Sequence, residues 1–322
     1  MIVTHVYQPD RGIIRREGIE AFDELLRSQN QVFWVDFYDP TDEESYALKA
    51  DFNFHPLAIE DVIAELPGPK VDDYGQYLFV VFKVADYHSG ADGLSFREID
   101  VFLLRNGVVT IHYDTLKPLD AVTRRCQSDE RVLSRGADFM FHTILDHIVD
   151  HYDHTLERIE DEVDAVEDEV FENPSSEITK RVFNLKRDLS QLKRVATPQR
   201  EILNRFARDQ FPLIGSQARI YFRDVFDHMH RITDLADSLR DTLTSALEVH
   251  YSTAQQRAND TIKVLTVIAT VFLPVYLLTG IYGMNFTSIP EFEWEHGYLL
   301  FWVLAGLTTW GMFWFIKTRR WL

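Results

Sequence analysis

The sequence predicts an α/β amino-terminal part, then long helices, then two apolar carboxy-terminal helices that can span a membrane. Three observations carry this. β-branched and aromatic runs cluster before residue 120, helical periodicity dominates from Gly136 onward, and two charge-free apolar stretches close the chain. The 322 residues include 33 basic and 51 acidic side chains, a formal charge of −18, which argues against a nucleic-acid binder and favours cations or basic partners. The single cysteine, Cys126, excludes an intrachain disulfide framework and fits a reducing compartment. A mean hydropathy of −0.18 describes an ordinary soluble chain only because the apolar residues are concentrated at one end.

Taken in order, residues 31–39, 77–87, 99–106 and 108–114 read as strands. The last two meet across Asn106-Gly107, a hairpin signal, and Pro67-Gly68-Pro69 and Ser89-Gly90 mark loops. Short helices are expected at about 18–28 and 56–65. Residues 138–171 and 176–207 are long amphipathic segments broken at Asn173-Pro174, which suits an antiparallel helical hairpin, and the first is strongly acidic. Between Pro212 and Pro274 there is no proline, and Val225, Met229, Ile232, Leu235, Leu239, Leu243, Ala246 and Val249 recur at steps of three and four. One helix from about 217 to 282 would extend about 100 Å, and its apolar seam predicts self-association. The resulting division is a cytosolic mixed α/β domain over 1–135, the acidic hairpin over 136–215 and a stalk helix over 216–282. A loop over 283–298, a second span over 299–316 and a basic tail over 317–322 complete the chain.

The stretches 264–282 (VLTVIATVFLPVYLLTGIY) and 299–316 (LLFWVLAGLTTWGMFWFI) each approach the ~20 apolar residues that cross a bilayer as a helix. Between them lie Glu291, Glu293 and Glu295 without Lys or Arg, whereas Lys317, Arg319 and Arg320 follow the second at once. The positive-inside rule then puts both termini in the cytoplasm of a multi-pass membrane protein. No signal peptide is recognisable at the amino terminus. Two spans cannot enclose a pathway in one chain, so the membrane part is either an anchor or one share of a pore built from several copies.

The residues after the first stretch decide between these. Tyr282-Gly283-Met284-Asn285-Phe286 behind the first of two terminal spans resembles the signature of the CorA family of magnesium transporters. Supporting pieces are Lys263-Val264-Leu265-Thr266, residues 268–274, Tyr221-Phe222-Arg223-Asp224-Val225, His55-Pro56-Leu57 with Glu60-Asp61, and the basic ending before Trp321-Leu322. The resemblance covers nearly the whole chain. It implies a funnel-shaped homopentamer that conducts Mg²⁺, with Co²⁺ or Ni²⁺ as further cargo, and no enzyme. Gly283, Met284 and Asn285 would form the selectivity filter. Chemistry supports the choice: Mg²⁺ gives up its water reluctantly, so a fivefold ring of Asn285 carboxamides and open backbone carbonyls at Gly283 suits a hydrated ion better than a carboxylate ring. Without the family match, Gly283 and Asn285 are an ordinary helix terminus.

In the family the pore-lining face of the first span corresponds here to Asn259, Ile262, Leu265, Thr266, Ala269, Leu273, Tyr276 and Gly280. Packing on lipid or on the second span competes for each of them. Tyr276 stands where relatives commonly carry a small threonine, which would crowd an inward-pointing ring. The resemblance also implies a regulatory divalent site between subunits, with Mg²⁺ as the regulatory ion: Asp224 matches its stalk-helix acid, and alignment through Lys83 puts the neighbour's acid at His88, with Asp86 two positions earlier. His147, His151 and His154 share a helical face at a spacing that suits zinc, though solvated histidines fit equally. No Walker loop, nucleotide motif or nucleophile constellation is present, so transport would run on the ion gradient and membrane potential. Two alternatives stay open: the zinc-transporting branch of the same superfamily, and a membrane-anchored scaffold without a pore.

Overall fold

The computed structural model describes residues 1–18, 22–28, 30–64, 68–89, 93–172, 176–208, 210–285, 290 and 293–319. The turn expected at Asn173-Pro174, Pro67, Gly90, Phe286, Glu291 and the ending Arg320-Trp321-Leu322 lie outside these residues. Two compact units are present, Met1–Leu247 and Glu248–Leu322.

The first unit is built on a seven-stranded mixed sheet in the order β2-β1-β3-β7-β6-β5-β4. Its strands are β1 (Ile2–Gln8), β2 (Gly12–Glu17), β3 (Val32–Tyr38), β4 (Lys70–Asp73), β5 (Tyr77–His88), β6 (Gly93–Leu104) and β7 (Gly107–His112). Only β3 and β7 pair in parallel; the other pairs are antiparallel. The strand period of two assigns side chains to opposite faces. Phe79, Val81 and Phe102 join the short helices α1 (Phe22–Arg27), α2 (Asp42–Ala50) and α3 (Pro56–Ala64) in one core. Leu78, Val80, Phe82, Val84 and Leu103 face the other core, shared with α4 (Lys117–Ser128), α5 (Arg131–Ser134), α6 (Ala137–Glu172), α7 (Ser176–Ala207) and the first part of α8 (Ser216–Tyr282). Because both faces of the sheet are covered, β5 reads as a continuous apolar run, with only His88 exposed at its end. Residues 1–135 and 136–215 therefore share one apolar core.

The sequence reading omits β1, β2, β4, α2, α4 and α5, and it begins β6 six residues late. The early part of β6 carries Ser95, Arg97 and Glu98, which break the apolar run although the strand pairs with β5 all the way to His88↔Gly93. α2 has a local signal of its own. Thr41 and Glu44 form a capping box in which the Thr41 hydroxyl accepts from the Glu44 amide at 3.3 Å and the Glu44 carboxylate accepts from the Thr41 amide at 3.0 Å.

Past Val81, β5 outruns its edge partner β4, whose pairing ends at Lys70↔Val81. The bare edge is completed by helix side chains. The Lys83 amide donates to Gln199 Oε1 (2.6 Å), Tyr152 Oη donates to the Lys83 carbonyl (2.8 Å), Gln199 Nε2 donates to Tyr152 Oη (3.1 Å), and Thr155 Oγ1 donates to the Ala85 carbonyl (3.0 Å). All of these atoms are buried, so three of the bonds offset a desolvated backbone group and the fourth holds the two side chains together. Beside them Lys83 and Glu98 form a buried ion pair at 2.7 Å.

α8 is a single helix of 67 residues with Pro274 inside it. In the second unit its end is joined by α9 (Gly297–Thr318), 22 residues. Both helices are apolar enough to cross a membrane, and the most apolar window of α8 is 0% buried within the chain.

Candidate ion pathway and divalent site

In the second unit the side of α8 that turns to α9 is marked by half-buried Val267, Thr270, Val271, Pro274, Val275 and Leu278. Val271 and Val275 line an apolar cleft of about 470 Å³ with Trp302, Ala305, Gly306 and Trp310 of α9. At ~100° per residue, Asn259, Ile262, Thr266, Ala269, Leu273 and Gly280 share another face, roughly 130° round from the middle of that side. All six are exposed, Ile262 at 61% and Leu273 at 65%. Packing on the second span of the same chain therefore does not account for them. Tyr276 and Leu265 are exposed too, but they sit roughly 60° and 80° round from Leu273, on the flank of that face. The Thr266 hydroxyl donates back to the Ile262 carbonyl at 2.8 Å, which is how a helix keeps a hydroxyl satisfied in an apolar setting.

α8 terminates at the signature. The Gly283 amide donates to the Thr279 carbonyl (2.9 Å) and the Met284 amide to the Ile281 carbonyl (3.2 Å). A Cβ on Gly283 would stand 3.0 Å from the Thr279 carbonyl oxygen, so the close turn is itself a reason for glycine. Gly283, Met284 and Asn285 are exposed, and Gly283 borders a mouth of about 530 Å³ with Thr279, Tyr282, Trp294, Glu295 and Tyr298. Tyr282 stands edge-on to Phe301 of α9, with centroids 5.5 Å apart.

In the first unit Asp224 projects from α8 with its side chain 71% exposed, and His228 one turn on is 3.8 Å away. It lines a groove of about 350 Å³ with Arg125, Arg135, His142, Asp146 and Tyr221. Burial, with the Asp150 charge adding to it, raises the Asp146 carboxyl above its ordinary range. Burial lowers His142 to about 4, helped by Arg125 and opposed by Asp224, so the ring is neutral at physiological pH. Asp146 is absent from the sequence analysis, which describes this helix only as strongly acidic; no local signal separates it from the other acids of the helix.

The two expected partners of Asp224 fare differently. Asp86 is 4% exposed and turned inward, where Arg97 at 3.4 Å and Lys117 at 3.7 Å neutralise it and the His151 ring stands at 3.3 Å. His88 is exposed at the end of β5. The histidine row is divided in the same way. His151 turns to Asp86, His147 Nδ1 contacts the Thr143 carbonyl at 2.9 Å, and His154 pairs with Glu157 at 3.1 Å. Among the described residues no group of three or more His, Cys, Asp or Glu is arranged to hold a metal within one chain.

Comparison with known proteins agrees with this geometry. The chain is 35% identical over 272 residues to the cobalt/magnesium transport protein CorA of Thermotoga maritima, covering 84% of this chain and 78% of that protein. It is 30% identical over 285 residues to a putative metal ion transporter of Bacillus subtilis, covering 88% of each. The complete structure of the CorA magnesium transporter from Methanocaldococcus jannaschii superposes with a TM-score of 0.84 at 22% identity, over 100% of this chain and 99% of that one, a likeness of fold. The family model described as CorA-like Mg2+ transporter protein matches residues 29–320, and the chain belongs to that family.

Proposed function

We infer that this chain is one subunit of a homopentameric Mg²⁺ channel, with Co²⁺ as further cargo, in the plasma (inner) membrane. The observation that carries the reading is the exposed face of α8 from Asn259 to Gly280, directed away from α9 and ending at Gly283-Met284-Asn285. The same face brings the Asn259 carboxamide and the Thr266 hydroxyl into line with the signature, which suits a water-filled lumen. Apolar rings at Ile262 and Leu273 gate by dewetting, and five Asn285 carboxamides at the mouth accept hydrogen bonds from the water shell of Mg²⁺. Glu293 and Glu295 before α9 and Lys317 and Arg319 at its end orient both termini toward the cytoplasm. The gradient and membrane potential drive the ion, worth about 2.3 kcal/mol per charge per 100 mV.

Closure follows from the Asp224 groove. Asp146 and Asp224 border one cleft, where Arg125, Arg131 and Arg135 also stand, and a divalent cation held there takes a third acid from a neighbouring subunit. With Asp86 committed internally, the fitting donor is Glu60 on α3, exposed between Leu57 and Ile63, which are 59% and 65% exposed. Such exposed apolar flanks favour burial against another copy. The direct test is ion flux into liposomes holding the purified protein. Wild type conducts Mg²⁺ and Co²⁺ in preference to Zn²⁺, and Asn285→Ala abolishes flux while the pentamer survives. Normal flux in Asn285→Ala, or none in wild type, removes the reading.

A further inference from the structure

α7 is tied on one side to the sheet and on the other to α8, by adjacent residues. Gln199 holds the Lys83 amide, whereas Arg200 Nη1 donates to Thr233 Oγ1 of α8 at 3.1 Å and lies 3.4 Å from His230 Nδ1. Two further cations continue the second contact at steps of seven. Lys193 pairs with Asp237, and Lys186 Nζ donates to Thr244 Oγ1 at 2.8 Å. The helices run antiparallel along this seam, so Lys186, Lys193 and Arg200 meet α8 every second turn.

α8 offers acceptors more often than α7 offers cations. His230, Thr233, Asp234, Asp237, Asp241 and Thr244 fall within a stripe roughly 100° wide at steps of three and four, one or more per turn. A shift of α8 by one turn, about 5.4 Å, therefore presents Lys193 with Asp241 or Asp234 in place of Asp237. Both are open to receive it: their side chains are 77% and 66% exposed and bear only the 3.8 Å contact to Arg240 and the 3.5 Å contact to His230. Long Lys and Arg stems bridge the intermediate positions. The apolar part of the seam has the same periodicity, since Ile232, Ala236, Leu239 and Leu243 are also spaced by three and four.

We propose that Lys186, Lys193 and Arg200 form a positioning rail: they hold α8 in one axial register against the sheet-anchored α7, and during gating α8 moves by one turn to a second register on the same three cations. The proposal rests on the divalent-gated reading above and adds the residues that set the two positions of the helix leading to the signature.

The test is tryptic protection of the full chain in detergent against Mg²⁺ concentration, with thermal melting of each variant as control. Asp234→Asn and Asp241→Asn alter exposed acceptors that only the second register uses; at least one of them shifts the protection midpoint by about twofold or more without moving the melting temperature. Lys193→Met shifts it further, and Lys193→Arg restores it. Unchanged midpoints in both Asn variants overturn the rail even if Lys193→Met melts early, because that combination describes a merely structural contact. A wild type without Mg²⁺-dependent protection overturns the gating reading itself, and the rail with it.

Discussion

Replacing Gln199 with leucine tests how the helices are fastened to the sheet. The Gln199 side chain is 0% exposed and serves two partners, accepting from the Lys83 amide at 2.6 Å and donating to Tyr152 Oη at 3.1 Å. Leucine keeps roughly the same volume but offers no acceptor, so the Lys83 amide is stranded on a strand edge that β4 does not reach. An orphaned buried donor costs about 1–3 kcal/mol, and the lost bond to Tyr152 adds about 1 kcal/mol. The sum is about 2–4 kcal/mol. For a unit of this size each kcal/mol moves the melting temperature by about 2–4 °C, so a fall on the order of 5–10 °C is expected. Tyr152→Phe removes both the donor to the Lys83 carbonyl and the acceptor of Gln199 Nε2, so a comparable fall in melting temperature is expected. Thermal scans of the full chain in detergent supply the measurement. A Gln199→Leu protein melting within about 1 °C of wild type would show that the β5 edge is satisfied in some other way, and would remove the anchor on which α7's fixed position depends.

Three further outcomes are expected. His112 is 5% exposed, with Nδ1 2.6 Å from the Asp114 carbonyl and Nε2 3.2 Å from Asp36 Oδ1, so both nitrogens face acceptors. Burial pulls its pKa down, but the hydrogen bond and charge of Asp36 outweigh this and the net shift is upward. Its contribution to stability is therefore complete below the unfolded value of about 6.5 and declines as pH rises through the higher folded value; His112→Asn should flatten the loss of melting temperature between about pH 6 and 8, and an unaltered slope would contradict the assignment. Gly107→Ala would drive a Cβ to 2.2 Å from the Phe33 ring, with an expected cost of about 1–3 kcal/mol, read as a lower urea midpoint. Asp224→Lys fixes a positive charge in the groove, so tryptic protection should no longer follow Mg²⁺; in wild type, binding at a hundredfold excess over Kd supplies about 2.7 kcal/mol for each independent site, and an unchanged protection curve in the variant would locate the sensor elsewhere, such as the acidic face of α6.

The long-range plan of this chain was legible because it is written in periodicity. Steps of three and four without proline specify α8 before any partner is known, and two charge-free runs specify the apolar helices, since in both cases the information lies within one segment. That Gly283-Met284-Asn285 follows the end of the first apolar helix was legible for a related reason, since sequence order alone supplies it. Local strands were legible where both faces are buried, as in β5, and lost where one face is polar, as in early β6. Tertiary structure alone decided which acids are available. Asp86 and Asp224 are both carboxylates beside histidines in the sequence, yet folding surrounds the first with Arg97, Lys117 and His151 and leaves the second in an open groove beside Asp146. It likewise divided a three-histidine row between an internal carboxylate, a backbone carbonyl and a surface glutamate. A charge acquires its role from the groups that fold around it, and the decisive ones here are far off in sequence, Lys117 and His151 around Asp86 and Asp146 beside Asp224, whereas a helix acquires its existence from its own neighbours in sequence.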